Sequence, residues 1–134
     1  MKSRRDAREQ AVQMLYAHEM TRVPVGDIIA QQLKDKNKQY REFTEMLVRQ
    51  TVRLKERLDI IIQEKSHRWE IERIALLDRI ILRLAICELQ QFPDIPAKVT
   101  INEAIEIAKK YSTENSGKFI NGILDNVKQE LNKE

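Results

Sequence analysis

The chain has 134 residues, of which 42% are hydrophobic and 34% are charged, a composition typical of one folded globular domain. Its three Gly and three Pro are too few for a turn-rich all-β fold, and no apolar run approaches the length of about 20 residues that a membrane-spanning helix needs. The net charge is only +3, and the single cysteine, Cys87, excludes an internal disulfide and indicates a reducing, cytoplasmic environment.

The first predicted helix covers residues 4–20 and begins with a concentration of positive charge. Basic side chains near the N-terminus are Lys2, Arg4, Arg5 and Arg8. A basic end of this kind attracts polyanions such as nucleic acids, but it is also the composition of an ordinary solvated helix start. A short second helix is predicted from Ile28, Ile29 and Leu33.

The longest periodic segment follows a charged loop over residues 34–38. Its apolar residues share one helical face and predict a single long helix: Phe43, Leu47, Leu54, Leu58 and Ile61. The periodicity stops over residues 64–70, and we therefore expect two lobes, approximately 1–65 and 70–134, within one domain, 1–134.

A strongly apolar segment, Ile74 to Leu89, predicts a helix that other helices surround. Full burial is expected for Leu77, Ile81 and Leu84, which share one face. Proline at positions 93 and 96 ends this helix, because proline cannot continue one. The next helix is predicted to begin at Thr100, since Thr100 and Glu103 have the spacing of a capping box.

The last predicted helix runs from about residue 115 to Leu131. Its apolar stripe consists of Ile120, Ile123, Leu124, Val127 and Leu131. Phe119 lies at the shoulder of this stripe, next to Lys118, and Gly122 falls near the exposed side. The amides at the helix start suit phosphate, and an aromatic ring beside a lysine suits a stacked base. The alternative is that Phe119 and Gly122 pack against a neighbouring helix.

The predicted fold is all-α, with six to seven helices in two packed three-helix-like lobes, because no segment alternates with period two over a useful length. His18, His67 and Cys87 lack the spacing of a metal site, and no Gly-rich phosphate loop occurs. We therefore expect neither an enzyme nor a cofactor or metal. The residues leave open a nucleic-acid binder or a protein-interaction module.

Four segments carry a resemblance to a known family. They are RRDAREQAVQMLY at 4–16, ALLDRIILRLAICEL at 75–89, IPAKVTINEAIEIAKKY at 95–111 and SGKFINGILD at 116–125. Together they resemble the NusB family of bacterial transcription antitermination factors, and the resemblance covers essentially the whole chain.

The resemblance implies an all-helical protein that binds boxA, a short single-stranded RNA element of nascent ribosomal RNA transcripts. It implies the ribosomal protein NusE as a direct partner, and other Nus factors and RNA polymerase as indirect ones. The implied RNA-binding residues are Lys2, Arg4, Arg5, Arg8, Asn115, Lys118 and Phe119. The implied partner-binding residues are Tyr16, Met20, Glu72 and Asp78.

One position departs from the family pattern. Asn115 stands where many members have aspartate, and the loss of a carboxylate near an RNA phosphate is expected to reduce repulsion. Two alternatives stay open at this point. One is a helical adaptor that binds only proteins. The other is the accessory module that precedes some RNA cytosine methyltransferases, which fits less well because the chain carries no methyl-donor-binding region.

Overall fold

The computed structural model describes residues 3–34, 36–67 and 70–133. Within these ranges the chain forms seven α-helices, one short 3₁₀ helix at Ile71–Arg73 and no strand, which confirms the predicted all-α class. The helices are α1 (Arg4–Thr21), α2 (Val25–Gln32), α3 (Lys38–Arg53), α4 (Lys55–Ser66), α5 (Leu76–Gln91), α6 (Ala97–Tyr111) and α7 (Glu114–Leu131). No helix in the described ranges has the length and apolarity to cross a membrane.

The chain divides into two compact units, Met1–Arg53 and Leu54–Glu134, called unit 1 and unit 2 below. The division falls earlier than the expected lobe boundary at 65–70, because α4 packs against α5 and α7. The prediction of one long helix across this region was wrong. The helix is interrupted at Leu54, which separates α3 from α4, and Ile62 is buried in α4 where Ile61 was expected.

Unit 1 is built from α1, α2 and α3, each of which contributes apolar residues to a common core. Helix α1 begins at the cap residue Ser3, whose side chain accepts a hydrogen bond from the Asp6 amide at 3.1 Å. Its buried face includes Ala7, Ala11 and Met14. The predicted first and second helices are therefore confirmed.

Unit 2 is organised around α5, which contacts α4, α6 and α7. Residues 81–89 are all buried, which explains why this segment is apolar on nearly every side. Ile81 and Leu84 are buried as predicted. Leu77 is only half-buried, so that part of the prediction was wrong, because Leu77 lies in the first turn of α5, ahead of the fully buried stretch.

Helix α5 also buries charged side chains that make hydrogen bonds to neighbouring helices, among them Arg83 and Glu88. The Arg83 guanidinium donates from Nε to Asp59 Oδ1 at 2.6 Å and from Nη2 to Asp59 Oδ2 at 3.2 Å. Glu88 accepts a hydrogen bond from the Thr100 hydroxyl of α6. Because a buried charge is costly unless it is partnered, these contacts fix how α4 and α6 dock on α5.

The predicted capping box, with a helix that begins at Thr100, was wrong. Helix α6 begins at Ala97 after the cap residue Pro96, so Thr100 lies inside the helix and is buried. Proline already has the backbone φ that a helix start needs, and the helix therefore starts earlier than the Thr100 pattern indicated. The Thr100 hydroxyl pairs with Glu88 instead of capping its own helix.

A lysine of the C-terminal segment caps the C-terminal end of α5. Lys133 Nζ donates to the carbonyl oxygens of Leu89 and Phe92, each at 3.0 Å. A cation at this position interacts favourably with the negative end of the helix dipole. Burial lowers the pKa of Lys133, and the negative charge of Glu88 opposes that change.

Candidate nucleic-acid interface

The basic start of α1 packs against an aromatic ring of α3 within unit 1. The guanidinium carbon of Arg4 lies 4.8 Å from the centre of the Phe43 ring, and that of Arg8 lies 5.4 Å from it. These distances are those of cation–π contacts. The ring therefore restricts both guanidinium groups before any ligand binds.

The predicted RNA-binding residues of α1 differ in accessibility. Arg4 and Arg5 are exposed, whereas Arg8 is only 5% exposed. Arg8 thus packs within unit 1, and a direct contact with RNA would require it to leave that position. Lys2 lies outside the described residues.

The start of α7 carries the second predicted RNA-binding group. The helix begins at Glu114, earlier than expected, because the Thr113 side chain caps it by accepting from the Ser116 amide at 3.3 Å. The Ser116 amide is therefore already used and is not the open phosphate donor that the sequence indicated. Asn115 and Lys118 are exposed on the first turns.

Phe119 is half-buried, in agreement with its predicted place at the shoulder of the apolar stripe. Gly122 lies one turn further on the exposed side, and a Cβ atom added there would meet no heavy atom within 4 Å. The alternative that Gly122 is needed for packing against a neighbouring helix is therefore not supported. An open glycine leaves the helix backbone accessible to a ligand.

A buried hydrogen-bond network fixes the start of α7 to α5. The Asp78 carboxyl group accepts from the Ser112 hydroxyl at Oδ1 and from the Ser116 hydroxyl at Oδ2, each at 2.9 Å. Ser116 is also within 3.0 Å of the hydroxyl groups of Ser112 and Thr113. Because Asp78 is 7% exposed, these bonds form in a poorly solvated place where they are strong.

A cavity of about 280 Å³ lies beside this network, within unit 2. It is lined by Arg73, Ile74, Ala75, Asp78, Thr113, Asn115, Ser116 and Phe119. Of the predicted RNA-binding residues, the cavity therefore brings together Asn115 and Phe119. Lys118 is exposed on the same helix start but does not line the cavity.

Sequence reasoning missed Arg73 as a candidate site residue. It is exposed at the end of the 3₁₀ helix and lines the same cavity as the α7 residues, which lie about 40 positions later in the chain. The segment around it lacks helical periodicity and contains several charged residues, so no sequence pattern distinguishes it. Only the folded path of the chain places it near Phe119.

The predicted partner-binding residues also divide by accessibility. Tyr16 and Met20 are 42% and 60% exposed, and their spacing of four places them on one face of α1 in unit 1. Glu72 is exposed on the 3₁₀ helix of unit 2. Asp78 is buried, and both of its carboxylate oxygens already accept hydrogen bonds from serine hydroxyls.

The described residues contain no group of three or more His, Cys, Asp or Glu side chains that could hold a metal ion. Cys87 is buried in α5. The groups exposed at the starts of α1 and α7 are the guanidinium groups of Arg4 and Arg5, the Asn115 amide and the Lys118 ammonium, beside the half-buried Phe119 ring.

Comparison with known proteins gives one consistent answer. The sequence profile described as the NusB family matches residues 5–129. The transcription antitermination protein NusB of Salinibacter ruber is 44% identical over 134 residues, which cover 98% of this chain and 84% of that protein. The same-named protein of Bacillus mycoides is 44% identical over 128 residues, covering 96% of this chain and 98% of that protein.

Solved structures agree over the same length. NusB of T. maritima superposes with a TM-score of 0.90 at 40% identity, covering 97% of this chain and 94% of that one. A crystal structure of the antitermination factors NusB and NusE in complex with double-stranded RNA gives a TM-score of 0.80 at 27% identity, covering 97% and 98% of the two chains.

Proposed function

Because the chain belongs to the NusB family, we propose that it is a transcription antitermination factor that binds boxA-type single-stranded RNA together with the ribosomal protein NusE. The RNA lies in nascent ribosomal RNA transcripts. Other Nus factors and RNA polymerase are reached indirectly, through the assembled complex.

The observation that carries this proposal is the accessibility of Phe119 beside Asn115 and Lys118 at the start of α7. A half-buried ring offers one face to a base while its other atoms remain packed, and nearby amide and ammonium groups offer hydrogen bonds to base edges and phosphates. A core phenylalanine would be buried like Ile120, its neighbour in the chain, which is 0% exposed.

The basic side chains of unit 1 support the same proposal. Arg4 and Arg5 are exposed at the start of α1, and Phe43 restricts the Arg4 guanidinium. Restriction lowers the entropy that the side chain loses when it binds a phosphate. Unit 1 then supplies phosphate contacts, and unit 2 supplies base contacts together with further phosphate contacts.

A structural neighbour supports NusE as a partner and RNA as the class of ligand. It is a complex of NusB and NusE with double-stranded RNA, and the aligned region covers nearly all of both chains. Tyr16 and Met20 offer an exposed apolar face to a protein, and Glu72 offers an exposed carboxylate. We assign these three residues to NusE binding. Asp78 instead positions the start of α7 through its hydrogen bonds to the serine hydroxyls.

We infer that the protein acts by binding and not by catalysis, and that it works in the cytoplasm, where nascent transcripts are made. A protein-only adaptor is the second candidate, because the Tyr16 and Met20 face suits a protein partner without requiring RNA. The accessory module of an RNA methyltransferase has less support, since the relatives above carry the name of antitermination proteins along nearly their whole length.

Electrophoretic retardation of RNA separates these candidates. The purified chain, with and without NusE, is titrated into a short single-stranded boxA RNA, a scrambled RNA of equal composition and a double-stranded form of boxA. The proposal predicts tightest binding to single-stranded boxA and a further gain with NusE. Equal binding to boxA and scrambled RNA under both conditions contradicts the proposal, and NusE binding without any RNA binding establishes the adaptor.

A further inference from the structure

We propose that the cavity between the 3₁₀ helix and the start of α7 holds one unstacked nucleotide, with its base against Phe119 and its phosphate on Arg73. This inference rests on the proposed RNA-binding function and adds a binding residue, Arg73, that the family resemblance did not indicate. The cavity lies entirely within unit 2.

The walls of the cavity have the chemistry that an RNA base requires. Phe119 and Ile74 provide apolar surface, and Phe119 provides an aromatic face on which any base can stack. Asn115 is exposed at the same opening, and its amide group has both donors and acceptors for a base edge. The volume of about 280 Å³ is near the lower end for small-ligand pockets, so it suits one base and not a stacked pair.

The charges of the cavity indicate which part of the nucleotide enters it. Asp78 lines the cavity and accepts hydrogen bonds at both oxygens, as a carboxylate does. A phosphate beside Asp78 would be repelled, whereas an uncharged base would not. The exposed Arg73 guanidinium is the cation that lines this cavity, so the phosphate binds there while the base lies inside.

The serine network gives the cavity a defined shape before RNA binds. Ser112 and Ser116 hold the start of α7 to Asp78 of α5, and the chain segment that precedes α5 carries Arg73. Direct hydrogen bonds therefore join the starts of α5 and α7, and the short segment before α5 connects the Arg73 wall to this fixed point. A preformed pocket loses less conformational entropy on binding than one that must close.

The test measures boxA RNA affinity over a range of salt concentrations for the wild-type chain, Arg73→Gln and Arg57→Gln. Arg57 is the matched control, since it is also an exposed arginine of unit 2 but lines a different cavity. We expect Arg73→Gln to weaken binding about fivefold or more and to make the slope of log affinity against log salt shallower by about 0.7, the value for one phosphate contact on a single strand. Arg57→Gln should match the wild type, and Arg73→Lys should recover part of the slope.

Three results overturn the proposal in distinguishable ways. If Arg73→Gln retains wild-type affinity and salt slope while the wild type still prefers boxA over scrambled RNA, the pocket is wrong and the proposed function stands. If Arg73→Gln instead weakens NusE binding measured without RNA, and leaves RNA affinity unchanged, a protein occupies the cavity. If the wild type does not distinguish boxA from scrambled RNA, the proposed function fails, and the pocket fails with it.

Discussion

At the residue scale, the proposed site residues divide into accessible and buried ones. Asn115 is exposed and Phe119 is half-buried, whereas Asp78 and Arg8 are buried against their neighbours. The sequence predicted the shoulder position of Phe119, because helical periodicity determines which residues border an apolar stripe. It did not predict the burial of Asp78 or Arg8, because that depends on partners far apart in the chain, Ser116 and Phe43.

Phe119 provides the first prediction at this scale. Phe119→Leu keeps apolar bulk for packing but removes the aromatic face, and should weaken boxA RNA binding by about 1–3 kcal/mol. The thermal midpoint should change little, because the side chain is only half-buried. Phe119→Tyr, which retains the ring, is the control and should bind nearly as well as the wild type. A large loss of stability with unchanged RNA affinity would show that the ring serves only packing.

Gly122 gives a prediction in which stability and binding move in opposite directions. Gly122→Ala should stabilise the free protein by up to about 1 kcal/mol, because alanine favours the helix and its Cβ meets no atom within 4 Å. RNA affinity should fall, since the added methyl group obstructs the approach to the helix backbone. Gly26→Ala of α2, where a Cβ is equally unobstructed, serves as control in denaturation and RNA-binding assays. Unchanged RNA affinity in Gly122→Ala would remove this residue from the interface.

Substitution of Asp78 tests whether this residue positions the start of α7 or contacts the partner protein directly. Removal of the carboxylate in Asp78→Ala leaves the Ser112 and Ser116 hydroxyls without their acceptor and should cost about 1–3 kcal/mol of stability. In a double-mutant cycle with Ser116→Ala, denaturant unfolding should show strong non-additivity, because the two residues share one network. Additive stabilities together with a loss of NusE affinity would instead establish Asp78 as a direct contact.

At the element scale, α5 and α7 differ in how much of their surface is exposed. Helix α5 forms the core of unit 2 and makes polar contacts to α4, α6 and α7. Helix α7 packs its apolar stripe, while its first turns expose Asn115 and Lys118. The existence of both helices was predictable, since each has a long apolar pattern. The residues at which helices begin were harder to predict, as α6 shows. Helix α6 begins at Ala97 and not at Thr100, because a proline start competes with the Thr100 pattern and the Thr100 hydroxyl has a better acceptor in Glu88.

Burial increases along α5, so alanine substitutions should lower the free energy of unfolding more in its buried stretch than in its first turn. Leu84→Ala should lower the free energy of unfolding by about 2–5 kcal/mol, because Leu84 is 4% exposed in a fully buried stretch. Leu77→Ala should cost clearly less, since Leu77 is half-buried in the first turn. Chemical denaturation of both variants measures the difference. Equal costs for the two substitutions would mean that α5 is not packed as described.

At the scale of the whole molecule, the proposed RNA-binding residues fall in both compact units. Unit 1 carries Arg4 and Arg5, and unit 2 carries Asn115, Lys118 and Phe119. The all-α class was predictable from composition and periodicity, and the number of helices was predictable as six to seven, because the break between α3 and α4 leaves no mark in the apolar pattern. The division between the units at Arg53 was not, because the apolar face continues from Leu47 through Leu54 to Leu58, and only the packing of α4 with α5 and α7 assigns it to unit 2.

The central claim is that exposed cations at the starts of α1 and α7 contact the phosphates of boxA RNA, and its most direct test is the salt dependence of boxA affinity. If three to five phosphates are contacted, log affinity of the wild type should fall with log salt at a slope of about −2 to −4. Arg5→Glu and Lys118→Glu should each make this slope shallower, and the double variant should have the shallowest slope. Lys98→Glu changes an exposed lysine of α6 and is the control, which should leave the slope unchanged. A wild-type slope near zero, or a double variant that binds boxA as the wild type does, would contradict the claim.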